Sequence, residues 1–271
     1  MATHRTGKRG SPTRFTGHSR VRRYGREMHI DRRDLLKAAA TGVVAATAGA
    51  PTALADAGRW ALPRARVPAP TGVITRLPGD GNQLALTIDD GTSTDVVAAF
   101  AQFCRDSGTR LTFFVNGANA SWRHNAEALR PMVNSGQIQL GNHTWSHPDI
   151  TRLRASDLTD QISRNKDFLV NTYGVDGTPY FRPPYGRHNS QTDHVAADLG
   201  YPTIPLWSGT IGDSRPINET NLIAAATQSF TPQAIVLGHA NLPTITHTYS
   251  QLLDIIQGRN LQTVTLADVF S

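Results

Sequence analysis

The sequence has a single cysteine among its 271 residues, and it has no long run of strongly apolar residues. One cysteine excludes an internal disulfide and a metal site built from several thiolates, so stability must come from a hydrophobic core. Cys104 stands among apolar residues such as Val97 and Phe100, which predicts a buried, inert thiol. No internal repeat indicates a solenoid. A chain of this length can hold one α/β domain plus a leader, or two small domains.

Excess basic charge is absent from most of the chain. The formal net charge of +6 would by itself suggest a nucleic-acid or membrane partner. However, residues 1–37 hold 11 lysines and arginines against 3 acidic residues, whereas the rest of the chain holds 16 against 18. The basic charge therefore belongs to the leader, and we expect no nucleic-acid partner.

Residues 31–55 resemble a twin-arginine export signal. Arg32 and Arg33 precede a run from Ala38 to Ala55 that contains no charged residue. This run is too weakly apolar for a permanent membrane anchor, and its small residues predict cleavage before Asp56. An ordinary alanine-rich helix is the alternative. We expect export by the twin-arginine machinery, followed by a secreted, extracellular or cell-wall location.

The predicted organisation is a basic, disordered leader with the signal peptide (1–55), a proline-rich linker (56–71) and a folded domain (72–271). Starting at Met28 would give the signal a more usual length, so we hypothesise that Met28 is the true initiator. Residues 1–27 at the N-terminus of the cytoplasmic precursor would contradict this hypothesis.

Short apolar runs alternate with amphipathic stretches from about residue 71 onward, a pattern typical of strand–helix units. Seven alternations predict an α/β fold closed as a parallel barrel, in which chemistry lies at the strand ends. We expect Pro131 to disturb the helix that contains it, or to delay its start. The predicted strands are residues 84–88, 111–115, 138–141, a strand leading to 180, 203–207, 234–239 and 261–266, and the predicted helices are 94–107, 121–135, 155–173, 191–199, 218–230 and 249–256.

Polar side chains stand at the ends of these strands. Asp89 and Asp90 close the first apolar strand, where buried carboxylates need a cation, an arginine partner or solvent. His143 and His147 are four residues apart and can face one point from a helical turn or a tight loop. Asp90 would complete two histidines and one carboxylate, as a catalytic divalent metal requires, although surface histidines at this spacing also occur by chance.

The remaining candidates surround this metal site. Asp89 is free to act as a base, and Arg182 could pair with it. His239, at the end of another strand, could donate a proton to a leaving group, with Asp213 holding its orientation. A backbone amide near Tyr185 could contact an oxyanion. For Arg182 the alternative is a surface arginine beside a Pro-Pro turn. For His239 the alternative is a buried histidine with a purely structural role, whose hydrogen bonds are all satisfied.

Four stretches together resemble the motifs of the polysaccharide deacetylase family, also called the NodB-homology family or carbohydrate esterase family four. They are Thr87–Gly91, His143–His147, Arg182–Tyr185 and Ile235–His239. The resemblance implies that Asp89 is the general base, which Arg182 orients, and that His239 is the general acid. It implies a metal site with the ligands Asp90, His143 and His147. It also implies that the Tyr185 amide contributes to the oxyanion hole and that Leu237 is a wall of the acetyl pocket.

One motif departs from the family pattern. Trp207 and Asp213 match it, but Ser214 stands where a second tryptophan is usual, which removes an aromatic wall from the pocket. The resemblance also implies a distorted, incomplete (β/α) barrel of seven or eight strands. We therefore expect a secreted, monomeric hydrolase that uses Zn²⁺, Co²⁺ or another divalent metal to remove acetyl groups from a polysaccharide or oligosaccharide.

The substrate and two other classes of protein stay open. Peptidoglycan, chitin-type glycans and acetylated xylan are all compatible with the motifs, as are amide and ester bonds. One alternative is a non-catalytic glycan-binding relative, suggested by Ser214. Another is a non-haem iron oxygenase, which also uses two histidines and a carboxylate but has a different strand pattern and no role for the Asp pair.

Overall fold

The structure is a computed structural model that describes residues 66–271. The predicted leader, the signal peptide and residues 56–65 of the predicted linker lie outside the described residues. The end of that linker is bound to the domain: Val67 donates to the carbonyl of Val269 (2.9 Å), and Ser271 donates back to Val67 (2.9 Å). Val67, which lies within the predicted linker, is therefore bound to the domain.

Eight strands occur within residues 66–271. They are β1 (Gly72–Ile74), β2 (Gln83–Asp90), β3 (Leu111–Val115), β4 (Ile138–Asn142), β5 (Thr203–Pro205), β6 (Gly209–Thr210), β7 (Ala234–His239) and β8 (Gln262–Val264). The helices are α1 (Thr94–Ser107), α2 (Ser121–His124), α3 (Ala126–Asn134), α4 (Ala155–Tyr173), α5 (Ser190–Asp198), α6 (Glu219–Ser229), α7 (Tyr249–Gly258) and α8 (Leu266–Val269).

Strand β2 is the centre of the sheet. It pairs in parallel with β7 along Leu84–Asp89, with β8 at its first residues and with β3 at Thr87–Asp90. Every residue of β2 after Gln83 is buried. A strand covered on both faces is typical of parallel sheets, and it explains why this segment is nearly continuously apolar until its last two residues. The two aspartates therefore lie at the carboxyl end of a strand that is enclosed on both faces.

The strands form an uneven barrel. The main sheet has the order β4-β3-β2-β7-β6, and β1 and β5 form a second, two-stranded sheet. Single bridges join the two, from Asn142 to Phe181 and from Tyr180 to Thr203. The predicted α/β fold with a distorted, incomplete barrel is confirmed. The strand predicted before Tyr180 is reduced to these bridges, and sequence periodicity missed β1 and β6 because they are only three and two residues long.

Helix α1 has the bounds that the sequence predicts. Its first turn is capped by Ser93, whose hydroxyl accepts the amide of Val96 (3.3 Å). It ends at Gly108, which adopts φ +71° and donates its N–H to the carbonyl of Cys104. Cys104 itself is fully buried, as expected, and burial raises the pKa of its thiol.

The predicted helix over residues 121–135 is two helices. The helix that contains Pro131 begins late, at Ala126, which agrees with one of the two expectations, but Pro131 does not interrupt it. The interruption is at Asn125, which leaves the helical conformation with φ −96° and ψ 6°. The Asn125 side chain donates to the carbonyls of Thr94 and Ser121, both at 3.0 Å, and so fixes the junction. Pro131 lies inside α3, where burial of Leu129 and Val133 keeps the helix intact.

Three clusters of buried apolar side chains form the core of the described part of the chain. A large cluster packs α1, α3 and the central strands together, and smaller clusters lie beneath α8 and between α4 and α5. No helix within residues 66–271 is long and apolar enough to cross a membrane.

Candidate active site

A left-handed turn ends β2 and aims both aspartates at one pocket. Successive strand residues point to opposite faces, so Asp90 would normally point away from the side that Asp89 faces. Asp90 instead has φ +72°, and Gly91 follows with φ +79°. The carbonyl of Asp90 accepts hydrogen bonds from Trp122 Nε1 and Asn119 Nδ2, both at 2.9 Å. A Cβ at position 91 would lie 2.4 Å from the Trp122 ring, so only glycine fits there.

The two histidines lie on a loop after β4. Thr144 (φ +69°) and His147 (φ +59°) both turn in the left-handed region, so the spacing of four residues reflects a tight loop and not a helix. The Thr144 hydroxyl accepts the amide of His147 (3.1 Å), and Asn142 Oδ1 accepts the amide of Thr144 (3.0 Å). From β3, Asn116 donates to the carbonyls of His143 and Thr144. The loop is therefore held by its neighbours as well as by itself.

Asp90, His143 and His147 form a cluster that can hold a metal ion. Asp90 Oδ1 lies 3.3 Å from His143 Nε2 and 3.4 Å from His147 Nε2, and the three ligand atoms lie within 4.8 Å of one another. Oδ1 of Asp90 is buried and has no hydrogen-bond partner among residues 66–271. His143 Nδ1 lies 2.6 Å from the carbonyl of Arg182, so this nitrogen carries the proton and Nε2 presents its lone pair. These donors fit a catalytic divalent cation.

Charges within the cluster compensate for burial. Burial alone would raise the pKa of Asp90, but His143, His147 and Asn241 outweigh it and hold that pKa far below its ordinary value. Burial opposes the charge of His143, whereas Asp89 and Asp90 raise its pKa above normal. Burial and the neighbouring His143 lower the pKa of His147. The carboxylate is thus ionised, and the pocket favours one positive charge beside it.

Arg182 holds Asp89 from behind the pocket. Its guanidinium is fully buried and donates to Asp89 Oδ1 and to the Thr87 hydroxyl, each at 2.8 Å. The same group donates to the carbonyls of Pro205 (2.7 Å) and Leu206 (3.2 Å). A buried charge is tolerated only when it is paired and hydrogen bonded, and both conditions are met here. Asp89 Oδ2, which Arg182 does not contact, lies 3.6 Å from His143 Nε2 and faces the cluster.

His239 lies at the end of β7, where the strand register sets it beside Asp89. Asp213 holds it twice: Oδ1 lies 2.9 Å from His239 Nδ1, and Oδ2 accepts the His239 amide at 2.8 Å. The second ring nitrogen, Nε2, is therefore the one that faces the pocket. Burial disfavours the imidazolium, but the Asp213 hydrogen bond and the charge of Asp89 raise the pKa of His239 above its ordinary value.

A pocket of about 340 Å³ unites these groups. Eight of the ten residues predicted from the sequence line it: Asp89, Asp90, His143, His147, Tyr185, Trp207, Leu237 and His239. The other two, Arg182 and Asp213, lie behind the pocket and hold Asp89 and His239. Ser214 also lines it, at the position where the family pattern has a tryptophan.

Tyr185 forms the outer wall of the pocket. Its side chain is 62% exposed, and its ring packs edge-on against His147 at 4.5 Å between centroids. Its backbone adopts φ +60° in a tight turn. In that turn Gly186 and Arg187 donate to the carbonyls of Pro183 and Pro184, whereas the Tyr185 amide has no carbonyl partner among the described residues. This N–H is available to a ligand.

Sequence reasoning missed three residues that build the site. Asn241 donates to Asp90 Oδ2, Asn116 supports the histidine loop, and Trp122 holds the carbonyl of Asp90. Asn116 follows β3 directly, so its place at the carboxyl end of a strand was a usable signal. Asn241 and Trp122 belong to no recognisable motif, and only the fold brings them to the turn.

The fold and the site define a class: an α/β barrel protein whose strand ends carry two histidines and one carboxylate that can hold a metal ion. Residues 76–204 match the family described as polysaccharide deacetylase. The match covers just under half of the chain, and it confirms the resemblance seen in the motifs. The peptidoglycan-N-acetylglucosamine deacetylase of Listeria monocytogenes is 28% identical over 188 residues, which cover 69% of this chain and 39% of that relative. The chain thus spans well under half of the length of that relative.

Solved structures share the fold. A family 4 carbohydrate esterase from Streptomyces lividans, solved in complex with acetate, gives a TM-score of 0.59 at 25% identity, covering 67% of this chain and 91% of that chain. A wild-type pseudoenzyme of the same family from Bacillus anthracis gives a TM-score of 0.65 at 18% identity, covering 74% and 70%. At that identity the second likeness bears on the fold alone.

Replacing Asp213 tests the electrostatic account of His239. We expect Asp213→Asn to lower the pKa of His239, because burial then acts against the imidazolium with less compensation. An NMR titration of the His239 ring measures this pKa. The matched control is Asp193→Asn, which removes the carboxylate beside His188 and should leave His239 unchanged. A His239 pKa that stays the same in Asp213→Asn would refute the assignment.

Proposed function

We propose that the chain is a secreted, metal-dependent hydrolase that removes acetyl groups from a polysaccharide. The observation that carries this proposal is the meeting of three devices on one pocket. The pocket is faced by a carboxylate that a buried arginine holds, by a cluster of three candidate metal ligands, and by a histidine that a buried aspartate holds. These are the base, the electrophile and the acid that hydrolysis of an amide or ester requires.

Asp90, His143 and His147 would hold the divalent cation, which we propose to be Zn²⁺, with Co²⁺ or another ion as alternatives. When bound, the cation supplies Lewis acidity, which polarises the acetyl carbonyl and makes the attacking water more acidic. The orphaned Oδ1 of Asp90 and the lone pair on His143 Nε2 support this assignment.

Asp89 acts as the general base. Arg182 occupies Oδ1 and leaves Oδ2 directed at the cluster, 3.6 Å from His143 Nε2. Oδ2 is therefore placed to take a proton from water as the water oxygen attacks the acetyl carbon. The buried guanidinium has fixed hydrogen bonds on all sides, so the base is oriented before the substrate arrives.

His239 acts as the general acid. Asp213 Oδ1 accepts a hydrogen bond from Nδ1–H, which leaves the Nε2 proton of the imidazolium facing the pocket. As the carbon–nitrogen bond breaks, this proton moves to the departing amine, and acetate and a free amino sugar are the products. The raised pKa of His239 keeps the ring protonated to higher pH than an ordinary histidine. For an ester substrate the same proton goes to the departing alcohol.

Tyr185 and the pocket walls position the acetyl group. The free Tyr185 amide is placed to donate to the oxyanion that develops on the acetyl oxygen. Leu237 is only 7% exposed and supplies an apolar surface for the methyl group of the acetyl substituent. Trp207 forms a further wall, and Ser214 leaves the opposite side more open than a tryptophan would.

The substrate we propose is an N-acetylated glycan of the peptidoglycan or chitin type. The relative from Listeria monocytogenes, named for peptidoglycan N-acetylglucosamine deacetylation, supports this choice. Acetylated xylan is the second candidate, because the wider pocket at Ser214 does not exclude an O-acetyl group. Hydrolysis of either candidate uses the same base, metal cluster and acid.

Two other classes of function remain as rivals. A non-catalytic glycan-binding protein would lack a reason to keep both the oriented base and the oriented acid. A non-haem iron oxygenase would use the metal cluster but gives no role to Asp89 and Arg182. We place the chain with the hydrolases for these reasons.

Acetate release tests the proposal directly. We expect wild-type protein with Zn²⁺ or Co²⁺ to release acetate from peptidoglycan or chitin oligomers, to stop after chelation and to recover when the metal returns. Asp89→Asn should lower kcat by about 10²–10⁴-fold, because general-base catalysis supplies a factor of that size. Asp193→Asn, on the surface outside the pocket, is the control and should retain full activity.

The outcomes separate the rivals. Glycan binding without acetate release from any of the three polymers, with metal bound, would favour the non-catalytic alternative. Oxygen consumption with added Fe(II) would favour the oxygenase. Release from acetylated xylan alone would overturn the N-acetyl substrate and keep the hydrolase.

Export by the twin-arginine route is the second part of the proposal. It rests on Arg32, Arg33 and the uncharged run that follows them. In a bacterium with this export system, we expect the wild-type chain outside the cytoplasm and an Arg32→Lys, Arg33→Lys variant inside it. Cell fractionation measures the distribution. Equal export of the two chains would contradict this route.

A further inference from the structure

Asn241 contacts the metal cluster without being a candidate ligand. It lies two residues after His239, and its Nδ2 donates to Asp90 Oδ2 at 2.7 Å. The other oxygen of that carboxylate, Oδ1, faces the two histidines and is buried without a hydrogen-bond partner in the described part of the chain. The two oxygens of one carboxylate thus have different surroundings: one is bound to the protein and one is free.

The orientation of the Asn241 amide follows from its partners. Its Oδ1 accepts two hydrogen bonds from Thr92, one from the backbone N–H (3.0 Å) and one from the hydroxyl (2.8 Å). A flipped amide would set its NH₂ against the Thr92 N–H and its oxygen against the Asp90 carboxylate, so both contacts would become repulsive. The donor therefore faces Asp90.

The backbone fixes Asn241 relative to the end of β2. Ala240 donates to the carbonyl of Asp89 (3.0 Å), and Ser93 donates to the carbonyl of Ala240 (3.3 Å). The loop after β7 and the turn after β2 are thus joined through Ala240, the residue directly before Asn241. A carboxylate bound to such a support has little freedom to rotate about its own side-chain torsions.

We infer that Asn241 is a positioning residue for the metal centre, which holds Asp90 so that Oδ1 alone is offered to the cation. This inference rests on the metal site of the proposed function. Without the Asn241 amide, Asp90 can rotate and lose the ligand geometry that His143 and His147 require. Groups that orient a metal ligand typically contribute about 10–100-fold to metal affinity. Thr92 acts indirectly, because its two hydrogen bonds hold the side-chain amide of Asn241.

The test measures metal affinity on metal-free protein, by titration of Zn²⁺ against a chromophoric chelator. Asn241→Asp keeps the size of the side chain but replaces the donor with an acceptor, and Asn241→Ala removes both. We expect each to raise the Zn²⁺ dissociation constant about 10–100-fold. Asn221→Asp, at an exposed position on α6, makes the same chemical change elsewhere and should leave the affinity unchanged.

Thermal unfolding of the metal-free variants separates positioning from a structural role. An Asn241 variant that loses thermal stability but binds Zn²⁺ within about threefold of wild type would overturn the inference, since a positioning residue is expected to change affinity by more. Wild-type protein that binds no divalent ion would overturn the metal centre, and this inference with it. Weakened binding in both Asn241 variants, with Asn221→Asp at the wild-type value, supports it.

Discussion

The site depends on two adjacent carboxylates that face the same side at the end of a buried strand. A regular strand would separate them, and the left-handed backbone at Asp90 brings them together. This conformation costs a residue other than glycine about 1–2 kcal/mol. Hydrogen bonds from Trp122 and Asn119 to the Asp90 carbonyl, each contributing about 0.5–1.5 kcal/mol, offset that cost. The turn is therefore maintained by two residues that do not line the pocket.

Once both carboxylates face the pocket, the fold must compensate two buried negative charges. It does so in two different ways. Arg182 neutralises Asp89 from behind and leaves one oxygen for chemistry. Asp90 receives only a neutral amide donor from Asn241, so its charge stays available to a cation shared with His143 and His147. The different partners give neighbouring residues of the same type different tasks.

The sequence predicts the site better than its supports. Residues such as Asp89 and His143 stand in motifs at strand ends, and these ends meet because parallel strands share one edge. Contacts between residues far apart in the chain could not be predicted in this way. Arg182 donates to the backbone carbonyls of Pro205 and Leu206, and no side-chain pattern in the sequence indicates such a contact. The break at Asn125 and the two-residue strand β6 were missed because they depend on tertiary contacts and not on local apolar periodicity.

The division of labour between the two aspartates is the central claim, and anomalous diffraction at the zinc edge tests it most directly. Crystals of wild-type protein and of Asp89→Asn, both soaked in Zn²⁺, should show the same peak beside Asp90 Oδ1, His143 Nε2 and His147 Nε2. Asp90→Asn should show no peak at that position. A peak that disappears in Asp89→Asn, or that persists in Asp90→Asn, would contradict the account.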